Sequence, residues 1–238
     1  MPTLADKEGR ALRRAAKEVK RYRVMMKVVP ILLAVLALLL VLIYIVTSFY
    51  NKYGSFTVTV SKYDFSKYSL SLCETPDFRR PSSRLNAGAA ENVTNISGAT
   101  LPADIDQING QHNGENYVAY TFYCRNAGSA MVDISYRLYL ANMTQGIEKA
   151  IRIRLYVDGT PVTYARTASD GSGPEPDTVE FLSATTVTEE TVQNFAPEDT
   201  IRFTVVIWIE GDGPDCLDSV VGGEVKVGMA ISIATVGE

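Results

Sequence analysis

The sequence predicts an all-β fold: a jelly-roll-like β-sandwich ectodomain preceded by one N-terminal transmembrane helix. Three observations predict it. Residues 28–49 contain no charge at all. From Gly54 onward the hydrophobic pattern alternates with a period of two. Charge is divided unevenly between the two ends. Residues 1–27 carry nine Lys or Arg against Asp6, Glu8 and Glu18, whereas residues 50–238 carry 14 basic and 24 acidic residues, a net charge of −10. The whole-chain value of −4 hides this split, which points to membrane topology more than to fold.

The chain therefore divides into a basic segment (1–27), a transmembrane signal-anchor helix (28–49) and an extracellular domain (50–238). The run from Val28 to Phe49 reads VVPILLAVLALLLVLIYIVTSF. As a helix it is about 33 Å long, enough for a hydrocarbon core of about 30 Å. Lys and Arg crowd its N-terminal side, so the positive-inside rule places residues 1–27 in the cytoplasm and the remainder outside. Tyr44, Phe49, Tyr50 and Tyr53 suit the opposite interface. A cleaved secretion signal would have a shorter apolar run and a small-residue cleavage site, for which only Val46-Thr47-Ser48 offers itself. A retained anchor is expected. Leu4 to Arg23 has helical spacing with a basic face, which suits the anionic inner leaflet.

Strands follow in order. Phe56–Ser61, Tyr68–Cys73, Val132–Leu140, Ile151–Val157, Ile201–Ile209 and Glu224–Ile233 alternate, and Tyr117–Arg125 is rich in aromatic and β-branched residues. Asn126-Ala-Gly128, Asp158-Gly159, Asp170-Gly171 and Gly222-Gly223 supply turns, and Asp158-Gly159 reads as a hairpin. A short helix is expected at Thr144–Ala150. Glu74–Glu115 is polar and long, so it should cross between sheets and carry a short strand. Trp208, in an unbroken apolar run, should be core.

The chemistry-bearing residues are few. Nucleic acid is excluded as a partner by the acidic exterior. His112 is the single histidine, and Cys73, Cys124 and Cys216 show neither Cys-x-x-Cys spacing nor an even count. No His-Glu-x-x-His occurs, and no nucleophile stands beside His112 in sequence, so catalysis and a resident cofactor are not expected. Glu210-Gly-Asp212-Gly-Pro-Asp215-Cys-Leu-Asp218 places four carboxylates in nine residues. Asp212, Asp215 and Asp218 are the calcium candidates, although the spacing is not that of an EF-hand; a solvated Asp/Gly turn is the plainer reading.

The order of elements resembles the TasA/camelysin family, biofilm-matrix and surface proteins of Gram-positive bacteria. The residues that carry the likeness are the hydrophobic N-terminal segment, Phe56-Thr-Val-Thr-Val, and the strand from Glu115 through Asn126-Ala-Gly128. Asn194-Phe-Ala-Pro197-Glu-Asp199 followed by the strand to Trp208-Ile-Glu210 comes next, and then Gly222-Gly223-Glu-Val-Lys-Val. The family has Lys-Asn-x-Gly at the first turn and Pro-Gly-Asp at the second. The resemblance spans about residues 50–238 and implies a jelly-roll domain, surface display and assembly through β-strand edges. In fibre-forming relatives a freed N-terminal strand enters the next subunit. Phe56, Val58 and Val60 mark the corresponding strand here, and a retained anchor would keep it from being donated. The expected partners are the lipid bilayer and copies of the chain or other surface proteins. The rival expectation is a calcium- or glycan-binding module using Glu210–Asp218 and Asp104–His112.

Overall fold

The computed structural model describes residues 26–45, 56–90, 93–168, 170–211, 215–216 and 218–236. The chain forms two compact units, Met1–Lys52 and Tyr53–Glu238. In the first, α1 (Met26–Ile45) is a 20-residue helix long and apolar enough to cross a membrane. Its large apolar side chains are exposed all round, as a helix surrounded by lipid requires. The expected span of 28–49 thus begins two residues early, and its last four residues lie outside the described residues. So does the basic segment with its expected helix.

The second unit is built of strands: β1 (Phe56–Val60), β2 (Leu70–Cys73), β3 (Arg84–Ala87), β4 (Gly110–Gln111), β5 (Tyr117–Asn126) and β6 (Val132–Met143). β7 (Ile151–Val157), β8 (Thr160–Ala165), β9 (Val179–Glu180), β10 (Thr186–Phe195), β11 (Thr200–Ile209) and β12 (Val225–Val236) complete it. One short helix, α2 (Lys62–Lys67), follows β1. The first sheet has the order β10-β6-β12-β1-β3. The second has the order β2-β5-β11-β7-β8-β9, with β4 also paired to β5. The chain changes sheet between β1 and β2, β2 and β3, β3 and β4, β5 and β6, β6 and β7, β9 and β10, β10 and β11, and β11 and β12. The β7–β8 hairpin stays within one sheet, and Asp158 (φ 48°) with Gly159 (φ 86°) forms its turn, as the sequence predicts.

Alternation explains the core. Inward residues of both sheets form one cluster, and its centre is aromatic. Phe56 and Tyr136 come from the first sheet; Tyr120, Phe122 and Phe203 come from the second. Phe56 lies 5.8 Å from Tyr120 and 6.3 Å from Phe122, Phe122 stacks on Phe203 at 5.3 Å, and Tyr136 meets Phe203 edge-on at 5.2 Å. These tilted and offset pairs are the arrangements aromatic quadrupoles favour.

A second, smaller cluster lies on the opposite face of β11 and β5. Ile105, Ala119, Val206 and Trp208 form it, with Ile96, Leu101, Tyr117 and Tyr156 packed against it. Ile96, Leu101 and Ile105 belong to the crossing segment, so that segment covers the sheet. This is why the apolar run of β11 has no polar side, and Trp208 is core as expected. Trp208 Nε1 and Gly98 N both donate to Glu210 Oε2, at 2.8 and 3.0 Å. A side chain at position 98 would meet the indole at 2.8 Å, so a glycine lets the crossing segment lie flat on the ring.

Other expectations change. Thr144–Ala150 contains only a 3₁₀ turn, Ile147–Lys149, because Gly146 opens it at φ 70°. The crossing segment carries two short strands, β3 and β4, where one was expected. α2 and β10 were absent from the sequence reading. Ser61 caps α2 by accepting from Asp64 N at 3.0 Å.

Candidate functional site

The residues singled out for assembly stand in the middle of a sheet. β1 pairs in parallel with β12, from Phe56↔Val227 to Val60↔Ile231, and antiparallel with β3, from Phe56↔Ala87 to Thr59↔Arg84. Both of its hydrogen-bonding edges are therefore occupied. Phe56 and Val58 are wholly buried and Val60 is 4 % exposed, whereas Thr57 and Thr59 face outward. β1 is an interior strand, not an edge. Its far end is fastened twice: Val60 N donates to Ser83 O at 2.8 Å, and the buried Asp64 accepts from Ile233 N at 3.3 Å. The first strand and the last are thus locked side by side.

The true edges carry guards. β10 is bulged between Thr186 and Thr188 and again between Val192 and Phe195. Its Glu190 stands opposite Tyr136, on the core side of the edge. Burial, and then the Glu190 charge, push the Tyr136 phenol up to about 12. An exposed charge on the edge strand and bulges both discourage a further strand from pairing. β3 and β2 are four residues long, with β2 bridged at Leu72 to Ser82, and β9 is only two; β9 covers β8 only at Tyr164 and Ala165, and the uncovered part of β8 holds Pro161.

Both turn motifs that carry the family resemblance meet at one point. Asn126 is buried, and its Nδ2 donates to Ala130 O and Phe195 O, each at 2.9 Å. Its Oδ1 accepts from Gly128 N at 3.0 Å. Asn126 N donates to Asp199 O at 3.1 Å, and Glu198 N donates to Asn126 O at 2.7 Å. A Cβ at Gly128 would come within 2.4 Å of Tyr68 O, which explains the glycine. Glu198 stands at φ 68°, in the left-handed region that L side chains avoid. The exposed Glu198 should therefore be replaceable with profit: Glu198→Gly is expected to raise the unfolding free energy by about 0.5–1 kcal/mol. The urea midpoint of the purified chain checks it.

The acidic loop is less of a site than its sequence suggests. Glu210 is occupied by Trp208 and Gly98, Asp215 is buried, and Asp218 is exposed at the start of a 3₁₀ turn. Asp212 lies outside the described residues. Among the described residues no group of three or more His, Cys, Asp or Glu is arranged to hold a metal ion.

His112, expected as open polar surface, is half-buried and engaged. Its Nδ1 lies 2.8 Å from Gly110 O and its Nε2 2.7 Å from Ile105 O. Both ring nitrogens face backbone carbonyls, so neither stands beside a hydroxyl or thiol. Of the cysteines, Leu72 is opposite Cys124 and Cys73 is opposite Tyr123. Cys73 and Cys124 therefore point to opposite faces of the sheet, and this register does not permit a bridge between them. Burial pushes the Cys124 thiol well above its usual range. A maleimide is expected to label the half-buried Cys216 readily and Cys124 only after unfolding, as adduct mapping by mass spectrometry would show.

No protein-family model and no curated protein matches the chain. Two solved structures show a weak likeness. One is a β-glucosidase from Kluyveromyces marxianus in complex with glucose, at 10 % identity and a TM-score of 0.23. The other is the Se-Met-labelled β-glucosidase from the same organism, at 10 % identity and a TM-score of 0.24. Each match covers 67 % of this chain, which spans only 15 % and 17 % of those chains. Likeness at that level carries no argument about fold or activity.

Proposed function

We propose that the chain is a single-pass cell-membrane protein that displays a β-domain on the outer surface as a structural or interaction element, similar in role to TasA-like matrix proteins. The observation that carries this reading is α1: a 20-residue helix, apolar after Lys27 and uncovered on every side, ahead in sequence of a domain with its own core. The charge split supports a cytoplasmic N-terminus. A jelly-roll description is supported by strand succession. β5, β6 and β7, and later β10, β11 and β12, alternate between two mainly antiparallel sheets, as in a double Greek key, with β8 and β9 paired in parallel. β1 departs from it by lying parallel to β12.

Assembly with copies of itself or with other surface proteins is part of this reading. The guards on β10, β8, β3 and β9 weigh against simple edge-to-edge pairing of folded domains. They favour exchange of β1, which requires the chain to be cut between residues 45 and 56. Two experiments test the reading. In intact cells, externally added protease should digest residues 56–238 and spare residues 1–27; the reverse pattern refutes the topology. Electron microscopy should show filaments after cleavage in the 46–55 segment and none before it. Monodisperse particles in both states would refute assembly.

A further inference from the structure

Beyond the C-terminal end of β1 the domain carries a pocket that none of the preceding roles uses. β1 runs about 16 Å from Phe56 before the chain turns into α2. Between α2 and the β5–β6 turn lies an open cavity of about 380 Å³, lined by Lys67, Tyr68, Ser69, Val132 and the small residues 127–130. This pocket thus places a lysine beside aromatic rings on a unit whose net charge is strongly negative.

Lys67 is its centre. The ammonium donates to Tyr63 Oη at 2.5 Å and stands 5.0 Å from the ring centroids of both Tyr63 and Tyr68. The two rings meet edge-on at 5.9 Å, so they form a corner around the cation. Among the described residues no carboxylate pairs with Lys67. Its partners are phenols, and the hydrogen bond it donates to Tyr63 holds its pKa above the ordinary lysine value. With Tyr63 and Tyr68 both engaging the ammonium, a third N–H remains to be offered to a ligand. Tyr63 is 58 % exposed and Met131, beside the pocket, 46 %. Ala127, Gly128, Ser129 and Ala130 keep the floor low, and Ser69 and Ser129 add hydroxyls.

We infer that this pocket binds a carboxylate-bearing sugar unit of an acidic polysaccharide. The ammonium would take the carboxylate, the tyrosine rings the apolar face of the pyranose, and the serine hydroxyls its hydroxyl groups. The volume suits one or two rings. An acidic peptide would also satisfy the cation, but the pocket has no free strand edge for its backbone, and hydroxyls with aromatic faces favour the sugar. The inference is independent of assembly, since it involves neither β1 nor the sheet edges.

Calorimetry on the full chain in an uncharged detergent tests it. The probes are an oligogalacturonate, a neutral gluco-oligosaccharide of equal length and an oligoglutamate. The oligogalacturonate should bind, more tightly than either control. Lys67→Met and Tyr63→Leu should each weaken it by about tenfold, a loss of about 1.4 kcal/mol, and Lys67→Arg should retain most of it. Both positions are solvent-facing, and an unchanged urea midpoint confirms that the variants fold. Three outcomes would overturn the inference: no oligogalacturonate binding at 10-fold millimolar excess, binding indifferent to Lys67→Met, or tighter binding of oligoglutamate.

Discussion

Phe56→Ala is expected to lower the unfolding free energy of the β-domain by about 3–5 kcal/mol, the range for removing a buried phenylalanine. The ring is wholly buried and meets Tyr120 and Phe122 across the sandwich. Its strand is hydrogen-bonded on both sides, to β12 and β3, so the neighbours cannot close inward over the cavity without breaking ladder bonds. For a domain of ordinary stability this is a third or more of the total. Thr57→Ala, one residue on, removes only an exposed hydroxyl bonded to Asn86 at 3.1 Å, and is expected to cost under about 1 kcal/mol. The contrast between the two is the informative quantity. Trp208 is the single tryptophan and is buried in the same unit, so its fluorescence during urea unfolding reports the domain and not α1. If Phe56→Ala and Thr57→Ala shift the midpoint equally, β1 does not occupy the slot between the first sheet's last strand and its edge.

The same strand shows what local pattern could and could not reveal. Its alternation was legible: Phe56, Val58 and Val60 inward, the threonines outward. Its neighbours were not, because pairing of residues near 56 with residues near 227 is a non-local choice that no short window encodes. β10 was missed for a different reason. Thr-Val-Thr-Glu-Glu-Thr-Val-Gln-Asn-Phe loses its period of two at Glu189-Glu190 and at the second bulge, and an edge strand buries few side chains. The devices that guard the edge are thus what hid it. α2 left a readable trace in Ser61-x-x-Asp64, a helix-start pattern, but six residues give no periodicity to confirm it. The acidic loop shows the limit of proximity in sequence: of its four carboxylates, Glu210 is drawn away to the indole of Trp208 and Asp215 is buried. The pocket between α2 and the β5–β6 turn was invisible because its lining comes from 67–69, 127–130 and Val132, segments brought together only by folding.

Asn126→Ala is expected to cost about 3 kcal/mol, far more than its size suggests. The side chain fills little volume, but it joins two crossings between the sheets. One is the β5–β6 turn, reached through Gly128 N and Ala130 O; the other is the β10–β11 turn, reached through Phe195 O. Truncation leaves buried backbone groups without partners, at about 1–3 kcal/mol for each that water cannot reach. Asn126→Asp is a sharper variant. It keeps an acceptor for Gly128 N but turns a carboxylate oxygen toward two carbonyl oxygens, so it should be no better than Ala at neutral pH. Stability should recover in part as pH falls and the carboxyl gains a proton to donate. The structural knot also predicts coupling with position 198, because Glu198 N donates to Asn126 O. If the knot is real, the gain from Glu198→Gly will not simply add to the loss from Asn126→Ala, whereas sites without shared partners would add within about 0.5 kcal/mol. Strict additivity in that double-mutant cycle, or an Asn126→Ala variant as stable as the parent, would mean that the two turns are held independently.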